Sequence, residues 1–148
     1  MSYFYAFKRP RMLQRVQTIY LIAGILWTIS VGFIGAFFEV DGEPVKLAQN
    51  PIITILLAAV VVLYMVGIAM YQNRKAQVNI NRINTLYNLL LFGGAVYFAY
   101  FHIPQMRDGD AHMYWGATIP ILNVVLLFLA NRGIVADEEL VRSLDRLR

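Results

Sequence analysis

An uncharged run of 21 residues, from Pro51 to Tyr71, constrains the fold more than any other part of the chain. As an α-helix, which rises about 1.5 Å per residue, this run is roughly 31 Å long. The hydrocarbon core of a bilayer is about 30 Å thick, and a helix that crosses it needs about 20 mostly apolar residues. The run therefore predicts a membrane-spanning helix over residues 51–71.

The composition is also that of a membrane protein. Apolar residues make up 59% of the chain and charged residues 15%, against roughly 45–50% and 25% in soluble domains. Three further apolar runs predict spans over approximately residues 16–38, 83–103 and 114–130. We therefore expect one membrane domain over residues 1–148, an all-α fold with four transmembrane helices in an up-down bundle.

The segments on one side of the predicted spans read as loops. Residues 39–50 are short and acid-rich, with a turn signal at Asp41–Gly42. Pro51 suits the first position of the second helix, where its missing N–H has no intrahelical partner. Residues 104–112 form the second predicted loop on this side.

The end of the chain predicts a kink and then a separate helix. Pro120 cannot donate to the carbonyl of Gly116, which predicts a kink in the fourth span, and Gly133 is placed to end that span. Leucines spaced by four and three residues then predict a short amphipathic helix in the tail, residues 131–148. We assign a partner-binding surface to apolar and basic residues of this helix: Leu140, Val141, Leu144, Leu147, Arg142 and Arg146.

The placement of the basic residues predicts the orientation. Lys46 and Arg107 alone of the 13 Lys and Arg lie in the two predicted loops. The other eleven flank the opposite ends of the spans: Lys8, Arg9, Arg11, Arg15, Arg74, Lys75, Arg82, Arg132, Arg142, Arg146 and Arg148. Because basic residues near span ends stay in the cytoplasm, we expect a multi-pass protein of the bacterial inner membrane with both termini cytoplasmic. The first span is too long for a signal peptide and has no A-x-A-like cleavage site, which predicts a retained anchor.

The predicted spans contain few residues that could catalyse a reaction or bind a metal or cofactor. Asp, Glu, Lys, Arg and His are missing from the middle of every predicted span, although ion-coupled carriers use such groups there. The chain has no cysteine, and His102 and His112 flank a loop instead of facing each other in a bundle core. Phosphate-binding loops, nucleophile elbows and metalloprotease signatures are absent. The sequence therefore predicts a protein that is not an enzyme and holds no cofactor or metal.

Three asparagines are the polar residues of interest within the spans: Asn84, Asn88 and Asn123. An amide in hydrocarbon needs a hydrogen-bond partner. Contacts between helices would satisfy these amides, and so would a polar path for a solute. The sequence leaves both alternatives open.

Three stretches resemble one bacterial membrane family, domain of unknown function 4293. They are MLQRVQTIYL at Met12–Leu21, RINTLYNLLL at Arg82–Leu91 and, most specifically, LANRGIVADEELVRSLDRLR at Leu129–Arg148. The resemblance covers essentially the whole chain and implies a small four-span inner-membrane protein. It implies no activity and no catalytic residue.

The leading hypothesis for function is a non-catalytic accessory or structural subunit of a larger inner-membrane complex. Its expected partners are other integral membrane subunits and the bilayer, and not nucleic acid. The alternative is a small oligomeric transporter or channel for a neutral or lipid-like solute. A third possibility is an enzyme subunit that provides only scaffold for a cofactor held elsewhere. The transporter hypothesis requires the asparagines to face a shared cavity.

Overall fold

The computed structural model of the chain describes residues 11–40, 42–102 and 111–146. Within these ranges the chain forms four long helices and three short strands. The helices are α1 (Arg11–Ile34), α2 (Pro51–Ala69), α3 (Arg74–His102) and α4 (Thr118–Arg146). The strands are β1 (Ala36–Val40), β2 (Glu43–Lys46) and β3 (Ala111–Met113). Consecutive helices run antiparallel, and α4 packs against both α1 and α3, which closes the bundle.

The chain is mostly helical, as predicted, but the sequence did not predict its three short strands. They form one antiparallel sheet in the order β2-β1-β3, across the connections between the helices. Residues 39–50, predicted as a loop, contribute to the β1–β2 hairpin and to a 3₁₀ turn at Leu47–Gln49. Gly42 lies at the predicted turn with φ of +79°, a conformation that glycine adopts at little cost. We call this end of the bundle the sheet end.

The first helix ends earlier than the apolar run predicts. The span was expected to reach residue 38, but α1 stops at Ile34. A Cβ at Gly35 would lie 2.4 Å from the carbonyl oxygen of Val31, so glycine suits this tight helix end. The buried side chains of Phe37 and Phe38 then belong to the sheet that covers the bundle.

Capping explains where α2 and α3 begin. The Asn50 side chain accepts hydrogen bonds from the N–H groups of Ile52 and Ile53 at 3.0 and 3.3 Å, with Pro51 in the first helical position. Asn73 accepts likewise from the N–H of Ala76 at 3.1 Å. The helix α3 therefore begins at Arg74, before the predicted boundary at residue 83, and the basic connector is part of it.

The fourth helix continues through the predicted tail. It begins at Thr118, so Pro120 lies in the first turn, where its missing N–H breaks no intrahelical bond and causes no kink. Gly133 does not end the helix. It faces Gln17 of α1, whose Cγ would lie 3.1 Å from an added Cβ. The tail is thus an extension of α4 to Arg146, and we call the end of the bundle formed by the start of α3 and the end of α4 the basic end.

Among the residues that the structure describes, three segments are long and apolar enough to cross a membrane: Val16–Ile34, Pro51–Gln72 and Trp115–Glu139. Large apolar side chains cover the outside of the bundle, among them Ile19, Leu26, Phe33, Ile52, Ile55, Leu90 and Phe128, each more than half exposed. The interior holds buried amides in addition to apolar side chains. Because a soluble protein rarely exposes so many large apolar side chains together, the structure indicates a membrane protein.

Candidate functional site

Asn123 lies at the centre of a polar network that joins all four helices. Its Nδ2 donates to Thr28 Oγ1 of α1 at 2.9 Å and to Asn88 Oδ1 of α3 at 3.2 Å. The Tyr64 hydroxyl of α2 donates to Asn123 Oδ1 at 3.2 Å and to its carbonyl oxygen at 3.3 Å. These four side chains are at most 1% exposed. A single amide on α4 therefore has a hydrogen-bonding partner on each of the other three helices.

Asn84 and Asn88 extend this network along α3. Asn88 Nδ2 donates to Asn84 Oδ1 and to the Asn84 carbonyl oxygen, both at 2.9 Å. The structure thus brings together Asn84, Asn88 and Asn123, the three asparagines singled out in the sequence. Asn84 Nδ2 is buried without a hydrogen-bond partner among the described residues.

A glycine makes room for Tyr64. A Cβ at Gly24 would lie 2.4 Å from the Tyr64 Cζ and 2.5 Å from its hydroxyl oxygen. The absence of a side chain at Gly24 therefore lets the aromatic ring lie against the α1 backbone. This close approach places the hydroxyl group within reach of Asn123 on the far side of the bundle.

The basic end is tied by a second set of polar contacts. Asn81 Nδ2 donates to Asn131 Oδ1 at 2.9 Å, and Arg74 forms an ion pair with Asp137. Asp137 is 2% exposed, and Gln17 and Gln77 are buried in the same part of the bundle. Both paired contacts join the start of α3 to the end of α4, so the two helices remain associated along their length.

Sequence reasoning missed most of these partners, although one signal was present. Gln77, Asn81, Asn84 and Asn88 follow each other at intervals of four, three and four residues, which is the spacing of one face of a packed helix. That spacing predicts a continuous polar face on α3. Thr28 and Tyr64 had no comparable signal, because nothing in an apolar run shows which polar group lies opposite an asparagine.

The partner-binding surface predicted in the tail lies largely beyond what the structure describes. Leu147 falls outside the described residues, and so do the side chains of Leu140, Val141, Leu144 and Arg146. Arg142 Nη2 donates to Glu138 Oε1 at 2.7 Å in an exposed pair one helical turn apart. The surface therefore remains a hypothesis.

The chemistry available in the network is limited to neutral amides and hydroxyl groups. Within the described ranges, no three His, Asp or Glu residues come together as metal ligands. An apolar groove of about 330 Å³ lies between α1 and α2, lined by residues that include Thr28, Gly32, Leu57 and Val61. Of the residues that line this groove, only Thr28 belongs to the Asn123 network. The arrangement is suited to fixing the positions of helices relative to one another.

Comparison with known proteins gives a family and no activity. Neither a curated protein nor a solved structure matches the chain. The family model described as domain of unknown function (DUF4293) matches residues 13–147, which is nearly the whole chain and includes all four helices of the bundle. The chain therefore belongs to the DUF4293 family.

Proposed function

We propose that this protein is a non-catalytic accessory or structural subunit of a larger bacterial inner-membrane complex. It crosses the membrane four times, with both termini in the cytoplasm. The observation that carries the proposal is the Asn123 network, in which the polar groups of the bundle core bind one another and so hold the four helices in register.

The fourth crossing is made by α3. Residues Ile83 to Phe101 carry no charge and extend for roughly 28 Å as a helix. The asparagines that lower the hydropathy of this helix face the core, while its outer surface is apolar. Exposed residues there include Ile83, Leu86, Leu89, Leu90, Val96, Phe98 and Phe101. This outer surface is the one that lipid would meet.

The charges support the orientation. Because α3 and α4 are antiparallel, Arg74, Arg82, Arg132 and Arg142 lie at the same end of the bundle. Cytoplasmic segments of membrane proteins are enriched in such residues. The basic end therefore belongs in the cytoplasm and the sheet end in the periplasm.

The buried asparagines favour a scaffold over a transporter. The Asn123 amide binds side chains on neighbouring helices, the Asn88 amide binds Asn123 and, within α3, Asn84, and neither side chain is exposed. A solute path through these positions would require breaking the contacts that join the helices. The scaffold needs no such rearrangement.

The surface of α3 offers a place for another helix. Gly93 and Gly94 are exposed, and a Cβ at either position would meet nothing within 4 Å. Glycine lowers helix stability, and packing within the bundle does not require it here. Helices in membranes commonly associate through small residues that let backbones approach closely, so this face is suited to a helix of a partner subunit.

Purification in a mild detergent tests the proposal. A tagged chain expressed at its natural level should carry a partner in stoichiometric amount, identified by mass spectrometry. Gly93→Leu should release that partner, whereas Ser30→Leu, which places the same side chain at an exposed position on α1, should not. Recovery of the chain alone would refute an accessory role.

The tail is tested separately by truncation after Ser143. This variant keeps the Arg74–Asp137 and Glu138–Arg142 pairs but removes Leu144, Arg146 and Leu147. We expect loss of the partner if the tail surface binds it. Retention of the partner would confine the contact to the membrane helices.

A further inference from the structure

Two arginines lie next to each other at the basic end, on adjacent helices. Arg82 on α3 and Arg132 on α4 are both exposed. Each directly follows an asparagine, and those two asparagines, Asn81 and Asn131, are hydrogen-bonded at 2.9 Å. The hydrogen bond fixes the two arginines at nearly the same height along the bundle.

Helix geometry places both arginines on one side of the helix pair. Each step along an α-helix turns by about 100°, and antiparallel helices turn in opposite senses when viewed from one end. Asn81 and Asn131 face each other, and the next residue on each helix is an arginine. The two opposite turns therefore point both arginines toward the same flank of the helix pair. Arg82 and Arg132 border a common surface outside the α3–α4 contact.

Two other arginines at this end are neutralised within the protein. Arg74 pairs with Asp137, and Arg142 pairs with Glu138. Arg82 and Arg132 form no ion pair with any side chain that the structure describes. The positive charges of Arg82 and Arg132 are therefore available to an anion from outside the protein.

The height of these charges corresponds to the lipid headgroups. Arg82 directly precedes the uncharged stretch of α3, and Arg132 is the first charged residue of α4. On the membrane side of the arginines, the same flank carries apolar side chains. Leu89 lies seven residues after Arg82, and Phe128 lies four residues before Arg132; both are more than half exposed.

We propose that Arg82 and Arg132 together bind the phosphate of an anionic phospholipid in the cytoplasmic leaflet, with its acyl chains along Leu89 and Phe128. Arginine binds phosphate oxygens through paired N–H groups, and basic sites between helices at this face bind anionic headgroups in membrane proteins. The inference rests on the proposed crossing of α3 and is independent of any host complex.

Lipid binding to the purified full-length chain tests this proposal. Native mass spectrometry would measure the binding of phosphatidylglycerol and of phosphatidylcholine to the wild type and to variants. Arg82→Gln and Arg132→Gln should each weaken phosphatidylglycerol binding about fivefold, and the double variant roughly 30-fold. Phosphatidylcholine, whose headgroup has no net charge, should bind weakly to every variant.

The control removes the same total charge at other positions of the basic end. The double variant Lys75→Gln/Arg142→Gln should keep phosphatidylglycerol binding within about twofold of the wild type. Equal weakening in both double variants would indicate diffuse attraction and would overturn the site. Competition by millimolar inorganic phosphate would also overturn it, because the ligand would then not need to be a lipid. Circular dichroism checks that each variant is folded, and the single variants test the site if a double variant is not.

Discussion

The two ends of the bundle are held together by different chemistry. The sheet end has an apolar core formed by Val31, Phe37, Phe38, Leu47, Leu57, Ala99, Ala117 and Ile119. Toward the basic end a second apolar cluster, Leu21, Val60, Tyr64, Leu127 and Ala130, shares the interior with buried polar side chains, namely Gln17, Thr28, Gln77, Asn81, Asn84, Asn88, Asn123 and Asp137. The two ends of the bundle therefore differ in the kind of side-chain contact that holds the helices together.

The difference follows from the solvent that each part meets. In the proposed topology the sheet end lies in water, so the burial of Phe37, Phe38 and Leu47 there is driven by the hydrophobic effect. Between helices inside a bilayer this driving force is missing, because lipid is as apolar as leucine. Hydrogen bonds between buried amides supply orientation there, and a polar residue at a packed position also specifies register.

The largest expected loss of stability comes from adding a side chain at Gly116, at the sheet end. A Cβ at this position would lie 2.2 Å from the Ala36 carbonyl oxygen, a backbone atom that cannot rotate away. Gly116→Ala should therefore lower the free energy of unfolding by about 3 kcal/mol, at the upper end for overpacked sites. Unfolding in mixed detergent micelles would measure this change.

Gly93→Ala is the matched control for that substitution. Its added Cβ meets nothing within 4 Å, and alanine favours helix, so stability should be unchanged or slightly higher. If both variants lowered the free energy of unfolding equally, the effect at Gly116 would not come from close packing at the sheet end.

The next largest effect should come from Asn123→Leu in the polar part. The substitution leaves Thr28 and Asn88 without the bonds that the Asn123 amide supplies, and it leaves the Tyr64 hydroxyl only the backbone carbonyl oxygen of residue 123. We expect a loss of roughly 2 to 3 kcal/mol, because several buried groups lose a partner at once. The same micelle unfolding assay measures it.

Asn84→Leu tests whether hydrogen bonding or burial of an amide accounts for the stability that these asparagines provide. Asn84 is 1% exposed, but its Nδ2 has no hydrogen-bond partner among the described residues, and Asn88 would still donate to the Asn84 carbonyl oxygen. Its replacement should therefore cost less than about 1 kcal/mol. A large loss at both positions would mean that amide size, and not the bonding pattern, holds the helices together.

A smaller loss is expected from Asp137→Ala. The variant leaves the Arg74 charge unpaired, but the Arg74 side chain is 27% exposed and can turn toward water. The cost should be roughly 1 to 2 kcal/mol, below that of a fully buried pair. Thermal unfolding followed by circular dichroism measures it, and rescue in Arg74→Gln/Asp137→Asn would show that the pairing, and not the shape of Asp137, matters.

The sequence predicted the apolar helices well, because the length and hydrophobicity of a run indicate directly whether it can cross the hydrocarbon core. It predicted their ends poorly. Residues 36–38 are apolar in either a helix or a strand, so composition could not show that the chain leaves α1 and enters β1. The start of α3 was placed at residue 83 from hydrophobicity, whereas the Asn73 cap sets it at Arg74.

The candidate site was predicted only in part, for a related reason. Asn84, Asn88 and Asn123 are conspicuous because an amide is rare in an apolar run. Their partners depend on which helices are neighbours, and a single sequence does not contain that information. Tyr64 also required a glycine on another helix, Gly24, to reach Asn123.

The smallest predicted effect is at the exposed pair of Glu138 and Arg142, outside both cores. The side chain of Arg142 is 67% exposed, so solvent screens the pair and its strength is that of a surface helix contact. Arg142→Ala should lower the free energy of unfolding by at most about 0.5 kcal/mol, an effect that 0.5 M salt largely removes. Asp137→Ala, whose carboxylate is buried, should keep most of its effect in the same salt. If the two variants responded equally to salt, the contrast between buried and surface charge at the basic end would not hold.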